Sequence, residues 1–259
     1  MLMLAQLIEL RIKYLPICIA VIFSFSCKRE TFNFENGNEN YFPLETGKYS
    51  VYEVDYINYN DFTGTVDTNH FYLKELIGIA DLDNSGNLYY RLERYTKQNF
   101  TDPNWQFTQV WAMQQQNGKA YRIEDNQRFI NIDYPLYLNK TWNGLTHIRK
   151  DTFISIPGGT IDIYKDWENF KITALHQPDM ISGINFDSVM TILRADKINN
   201  IERRYSVEKY AKNIGLVFKQ DTILDTQCNG DLSACIGLPW SVKAEKGYIQ
   251  TLKLVETNR

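Results

Sequence analysis

Histidine, cysteine and helical periodicity are what this chain has least of. Three histidines (His70, His147, His176) and four cysteines occur in 259 residues. No histidine pair stands at H-E-x-x-H or a comparable spacing, so zinc chemistry lacks its usual local ligand set. No G-x-S-x-G elbow, P-loop or G-x-G-x-x-G fingerprint occurs, which leaves serine hydrolase and nucleotide chemistry without the turns that carry them. These absences imply no cofactor. Basic runs are missing as well: 28 Lys and Arg stand against 31 Asp and Glu, a formal net charge of −3. Such a chain lacks the electrostatic footprint of phosphate-backbone binding, so nucleic acid is not an expected partner. From Tyr41 onward no segment keeps an apolar period of 3.6 over a dozen residues, and few helices are expected.

What the sequence does hold is aromatic and β-forming. Aromatics reach 14%, with 17 Tyr and 14 Phe, within an apolar content of 44%, a composition suited to pleated, half-buried surfaces. Tyr49–Tyr56 alternates and places Tyr52, Val54 and Tyr56 on one face. His70–Ile77 and Tyr89–Tyr95 flank the turn-forming Asp81–Asn87 and should pair as a hairpin. Further extended runs are 106–113, 120–124, 128–134 (stopped by Pro135), 188–194, 204–210, 215–220 and 248–256. The stretch from Trp142-Asn-Gly144 to Pro178 reads as less regular. About ten strands joined by tight turns predict an all-β, mainly antiparallel fold. A curled meander forming a barrel, half-barrel or sandwich would cover its edges. Residues 41–259 are expected to form this domain, with no linker signature near residue 145 to divide it.

The N-terminus reads as an address. Arg11 and Lys13 precede the apolar run Tyr14–Ser26, which ends in small residues before Cys27: the order of a secretion signal over residues 1–26. The run is far shorter than the roughly 20 residues a membrane-crossing helix needs. The apolar stretch before Arg11 points to a start codon downstream of Met1. Ser24-Phe-Ser-Cys27 resembles the loose lipobox of Bacteroidota lipoproteins, without the Leu of the stricter pattern. The resemblance implies that Cys27 becomes the first mature residue and carries acyl chains such as palmitate. The expected location is the cell envelope, as an outer-membrane lipoprotein on either its periplasmic face or the cell surface. A secreted, non-lipidated protein with an incidental Cys27 is the alternative. Residues 27–40, polar and rich in Asn and Glu, read as a flexible tether.

With Cys18 in the leader and Cys27 lipidated, Cys228 and Cys235 remain, and in an oxidising compartment they read as a local disulfide. Asp81, Asp83, Ser85 and Asn87, with Gly86 at the sixth position, look like the start of a calcium loop. Position twelve is Leu92, however, and strands flank the loop, so a plain hairpin turn is the expectation and no metal is assigned. The five Trp, at 105, 111, 142, 167 and 240, could build a stacking surface or line a cavity, although core packing explains most aromatics in a β domain. Asp187-Ser-Val189 and Asp221-Thr-Ile223 resemble the O-glycosylation acceptor of exported Bacteroidota proteins, making Ser188 and Thr222 candidates.

Several phrases resemble a family of uncharacterised Bacteroidota lipoproteins: Tyr41-Phe-Pro-Leu-x-x-Gly47, Phe71–Glu75, Glu124–Phe129, Thr141-Trp-Asn-Gly144 and Tyr210–Val217. The resemblance implies export and a β domain and adds no activity. Within the phrases, Gly47, Gly144 and Gly215 suit turns needing positive φ, and Phe129, Trp142 and Tyr210 suit core anchors. The expected function is non-catalytic: binding of an apolar or glycan ligand, or of an envelope partner. A structural accessory subunit with an exposed aromatic patch is a second possibility. A carbohydrate-active enzyme, needing two carboxylates roughly 5–10 Å apart, is a third.

Overall fold

Left-handed two-residue turns join three consecutive strands in the first half of the chain. The computed structural model describes residues 40–259 apart from 165, 166 and 168; the expected leader, Cys27 and the tether before Asn40 lie outside the described residues. The chain runs through β1 (Tyr49–Asn60), β2 (Thr65–Leu82), β3 (Leu88–Lys97), β4 (Gln106–Gln116), β5 (Lys119–Glu124) and β6 (Gln127–Asp133). Asn117 and Gly118 between β4 and β5, and Asp125 and Asn126 between β5 and β6, have φ of 51°, 72°, 48° and 64°. That backbone matches the right-handed twist of the flanking strands, as type I′ turns do. After β7 (Thr141–Trp142), β8 (Phe153–Ile156) and β9 (Gly159–Asp162) come the long strands. These are β10 (Phe170–Ile181), β11 (Ile184–Ile198), β12 (Glu202–Ala211), β13 (Gly215–Asp225) and β14 (Lys246–Thr257). Among the described residues, helix is confined to short turns between β13 and β14, Leu232–Cys235 and Trp240–Lys243 among them.

The fold is all-β and antiparallel, as the composition predicts, with more strands than the ten expected. Twelve strands form one sheet in the order β6-β5-β4-β3-β2-β1-β14-β13-β12-β11-β10-β7, while β8 and β9 pair separately. Two meanders are thus joined where the first strand meets the last, with Tyr52 opposite Leu254 and Val54 opposite Leu252. The expected hairpin is present: β2 and β3 pair Glu75 with Arg94 and Ile77 with Leu92. The free edges β6 and β7 then approach each other. Ile130 donates its N–H to Gly144 O at 3.0 Å, and the Trp142 indole donates to Ile130 O at 2.8 Å. The sheet is therefore a nearly closed barrel, which removes most of the exposed edge that a flat sheet would present.

Two expectations need correction. The stretch leading to Pro178 holds more strand than expected: between loops it contains the β8–β9 hairpin and the start of the twelve-residue β10. Proline is tolerated in β10 because the bonding to β7 and to Asn139 and Lys140 before it stops at Ile172, leaving the rest of that side open, where a missing N–H costs no ladder bond. Register shifts against β11 near Ala174 and Gln177 absorb the irregularity. Gly144 is also needed for a different reason. Gly47 and Gly215 do adopt positive φ (87° and 95°), but at Gly144 any Cβ would collide with the Phe170 ring. The predicted anchors Phe129, Trp142 and Tyr210 are buried. So are Tyr41 and Phe42, which precede β1 and pack on the core, the Phe42 ring 6.5 Å from that of Tyr210.

Candidate functional site

Side chains alternate across a strand, so each inward position of a curled sheet enters one shared interior. In this barrel many of those positions are charged. Glu75 on β2 and Arg122 on β5 form a two-pronged pair, with Nη2–Oε1 at 2.8 Å and Nη1–Oε2 at 3.1 Å. Arg94 on β3 places its Nε 3.2 Å from Glu75 Oε1, and the Arg122 Nε donates to Glu124 at 2.9 Å. A second group lies on the other meander. Arg194 on β11 donates from Nη1 to Glu208 on β12. The Glu208 carboxylate also accepts from Tyr210 OH at 2.7 Å. Lys219 on β13 stands 3.7 Å from Glu208 and 3.4 Å from Asp221, while Ser206 donates to Asp221 at 2.6 Å. Asn131 on β6 links the groups: its amide donates to Glu208 at 3.3 Å and its Oδ1 accepts the Arg122 backbone N–H at 3.1 Å.

Four cations and four carboxylates therefore balance within the barrel. Removing ions from water costs several kcal/mol each, and only close pairing with further hydrogen bonds offsets it. Burial alone would raise the Glu124 pKa, but Lys219, Arg122, Arg194 and Arg94 outweigh it and hold it down at about 2. Glu75 is likewise lowered: burial opposes, and Arg122 and Arg94 prevail. Glu208 follows the same pattern under Arg194 and Lys219. Burial lowers the pKa of Arg94 despite Glu75; Lys219, also buried, is raised overall by its acidic neighbours, Asp221 foremost.

Beside this network opens a cavity of about 330 Å³, at the lower end of the size range of small-molecule sites. Arg94, Arg194 and Lys219 contribute cations to its wall; Glu124, Asp125 and Asp221 contribute carboxylates. Gln109, Gln127 and Gln250 add amides, and Trp111, Phe129, Tyr164, Trp167 and Tyr248 add aromatic surface. Asp125, in the β5–β6 turn, is exposed, whereas Arg194 is 3% exposed, so the lining runs from surface to core. The segment after the β8–β9 hairpin supplies Ile163, Tyr164 and Trp167, and Tyr164 OH donates to Gln127 at 2.7 Å. A second concavity of about 450 Å³ around Asn40, Pro43, Leu44 and Asn213 has one charged side chain in its wall, Glu45.

Most of the candidate residues named from sequence fall elsewhere. Cys228 and Cys235 form a disulfide, Cα atoms 5.6 Å apart, in the β13–β14 connection. Asp83 closes the β2–β3 turn: its Oδ1 accepts the backbone N–H groups of Ser85 and Asn87, each at 2.9 Å. Asp81 accepts the N–H of Leu82 at 2.8 Å. Among the described residues no group of three His, Cys, Asp or Glu side chains is placed to hold a metal. Ser188 is half-buried and hydrogen-bonded to Tyr41 OH at 2.7 Å; Thr222 is half-buried in β13, between β12 and β14. Of the tryptophans, Trp111 and Trp167 meet in the cavity and Trp142 is core, while Trp105 and Trp240 are half-buried. Sequence reasoning missed Arg94, Arg194, Lys219 and Glu124. The available signal was charge at alternate positions, such as Lys219 and Asp221 together on one face of β13.

No family model matches the chain, and no curated protein does. Two solved structures are similar to it. One is a provisionally assigned lipoprotein from Parabacteroides distasonis ATCC 8503, 14% identical, covering 85% of this chain and 98% of that one at a TM-score of 0.36. The other is a provisionally assigned exported protein with a YmcC-like fold from Bacteroides fragilis NCTC 9343, 10% identical, covering 84% and 98% at a TM-score of 0.36. Likeness at this level leaves the architecture to rest on the strand pairing of this chain.

Proposed function

We propose that this chain is an exported envelope protein, tethered through acylated Cys27 to the outer membrane, that binds a small hydrophilic ligand of sugar-like chemistry inside its barrel. The observation that carries the binding proposal is the wall of the 330 Å³ cavity, which combines aromatic side chains with amides and ions. Aromatic rings supply flat apolar surface, and amides and charged groups fix hydroxyls by hydrogen bonds. An acyl chain is a poor match, because it would strip water from Arg94, Lys219 and Asp221 without replacing the hydrogen bonds. The aromatic side chains grouped inside the barrel also favour an internal ligand over a purely structural subunit role. Catalysis by a carboxylate pair has less support: Glu124, held at about 2, has no proton to give at neutral pH, and glycosidic cleavage needs a general acid.

Native mass spectrometry of the protein purified from its own envelope tests the proposal. A retained hydrophilic ligand and an acyl mass on Cys27 are expected, and Trp111→Ala should lose the ligand. A bare, unacylated polypeptide would overturn it. So would a Cys27→Ala variant that stays in the membrane fraction.

A further inference from the structure

The cavity is unevenly supplied with hydrogen-bond partners. Its three carboxylates are all engaged: Glu124 by Arg122, Asp221 by Ser206, and Asp125 by the Trp111 indole at 3.2 Å. Three of its buried donors make no hydrogen bond: Arg94 Nε, Arg194 Nε and Trp167 Nε1. Arg94 Nε keeps an ion-pair contact with Glu75 Oε1 at 3.2 Å, whereas Arg194 Nε and Trp167 Nε1 have no hydrogen-bond partner among the described residues. Trp167 and Arg194 are 4% and 3% exposed. They are also neighbours, the Arg194 guanidinium carbon lying 5.4 Å from the Trp167 ring centroid. Arg194 is further held by the Phe129 and Phe170 rings at 5.3 and 4.8 Å and by its bond to Glu208. A buried donor left unmade costs about 1–3 kcal/mol. Two such donors side by side in one cavity call for a ligand that brings acceptors.

We infer that the ligand carries a carboxylate, as a uronic sugar does, whose two oxygens accept from Arg194 Nε and Trp167 Nε1. The inference rests on the sugar-like ligand proposed above and deepens it. Hydrogen bonds from a charged donor to a charged acceptor are about twice as strong as neutral ones. A singly charged group fits better than a phosphate ester, because the three cations of the wall are already matched by three carboxylates that would repel a second negative charge. Lys219, 3.4 Å from Asp221, adds positive charge to the same wall.

The test is a titration of the full-length protein in detergent, followed by tryptophan fluorescence and calorimetry. The probes are glucose, glucuronate, the uncharged methyl ester of glucuronate, and short neutral and uronic oligosaccharides. Uronic probes should bind at least tenfold more tightly than their neutral counterparts, and esterification should abolish the difference. Trp167→Phe keeps the ring and removes the donor; Arg194→Lys keeps the charge for Glu208 and removes Nε. Each should narrow the preference for uronic over neutral probes about tenfold. Equal binding of acidic and neutral probes would overturn the carboxylate and leave sugar binding standing. Binding of no member of either set would overturn both. The ester comparison needs no variant, so the outcome stands even if a substitution impairs folding.

Discussion

The amide of Asn131 donates to the carboxylate of Glu208 at 3.3 Å, joining β6 to β12 across the barrel interior although 77 residues separate them in the chain. The same amide reaches Tyr210 OH at 3.2 Å, and Asn131 Oδ1 accepts the Arg122 N–H. One neutral side chain thus connects the two charged groups. Asn131→Ala should leave several buried polar atoms without a partner and cost on the order of 2 kcal/mol. Equilibrium denaturation would read this as a lower midpoint with an unchanged slope.

Glu75 is shared by Arg122 and Arg94, so its loss takes a carboxylate partner from both guanidinium groups and leaves Arg122 with Glu124 alone. Glu75→Gln is expected to destabilise by about 3–5 kcal/mol, the usual cost of breaking a buried pair. Replacing Glu75 and Arg122 together by Leu and Met should cost less than the sum of the single changes. A double-mutant cycle in urea would measure that coupling.

Acid should weaken the barrel from within. Glu124 is lowered from 4.5 to about 2, and Glu75 and Glu208 are lowered as well. A folded pKa below the unfolded one gives stability that is fully present above the unfolded value and disappears as pH falls through the folded value. Stability should therefore hold down to about pH 5 and decline between about pH 4 and 2. Glu124→Gln should lose much of that dependence, as thermal melts across the range would show.

The Cys228–Cys235 bridge closes a short loop between β13 and β14. Loop-closure entropy for so small a ring is worth roughly 2–3 kcal/mol at most. A Cys228→Ser, Cys235→Ser double variant should keep the barrel's circular dichroism. Limited proteolysis should cut first between residues 226 and 245, ahead of the strands.

Strand content and turn positions were legible because period two is a local property. The alternation at Tyr52 and Val54, the turn around Asp83 and the stop at Pro135 all follow from neighbouring residues. Pro178 misled because its tolerance depends on which side of β10 lies unpaired. Gly144 misled because the reason for it, the Phe170 ring, lies 26 residues away. The candidate site was less legible still. Glu75 and Arg122 lie on strands that are not neighbours, and nothing near either residue says that its face turns inward.

The β class and the local disulfide were thus written in the sequence itself, since each depends on short-range order or composition. Tertiary structure alone decided that β1 would pair with β14 and that the outer edges at β6 and β7 would meet. That closure turns one face of every strand into a common interior, where ions that would otherwise be solvated must find one another, and it leaves Arg194 and Trp167 with donors to spare. Burial and long-range pairing are properties of the closed sheet, and no segment carries them on its own.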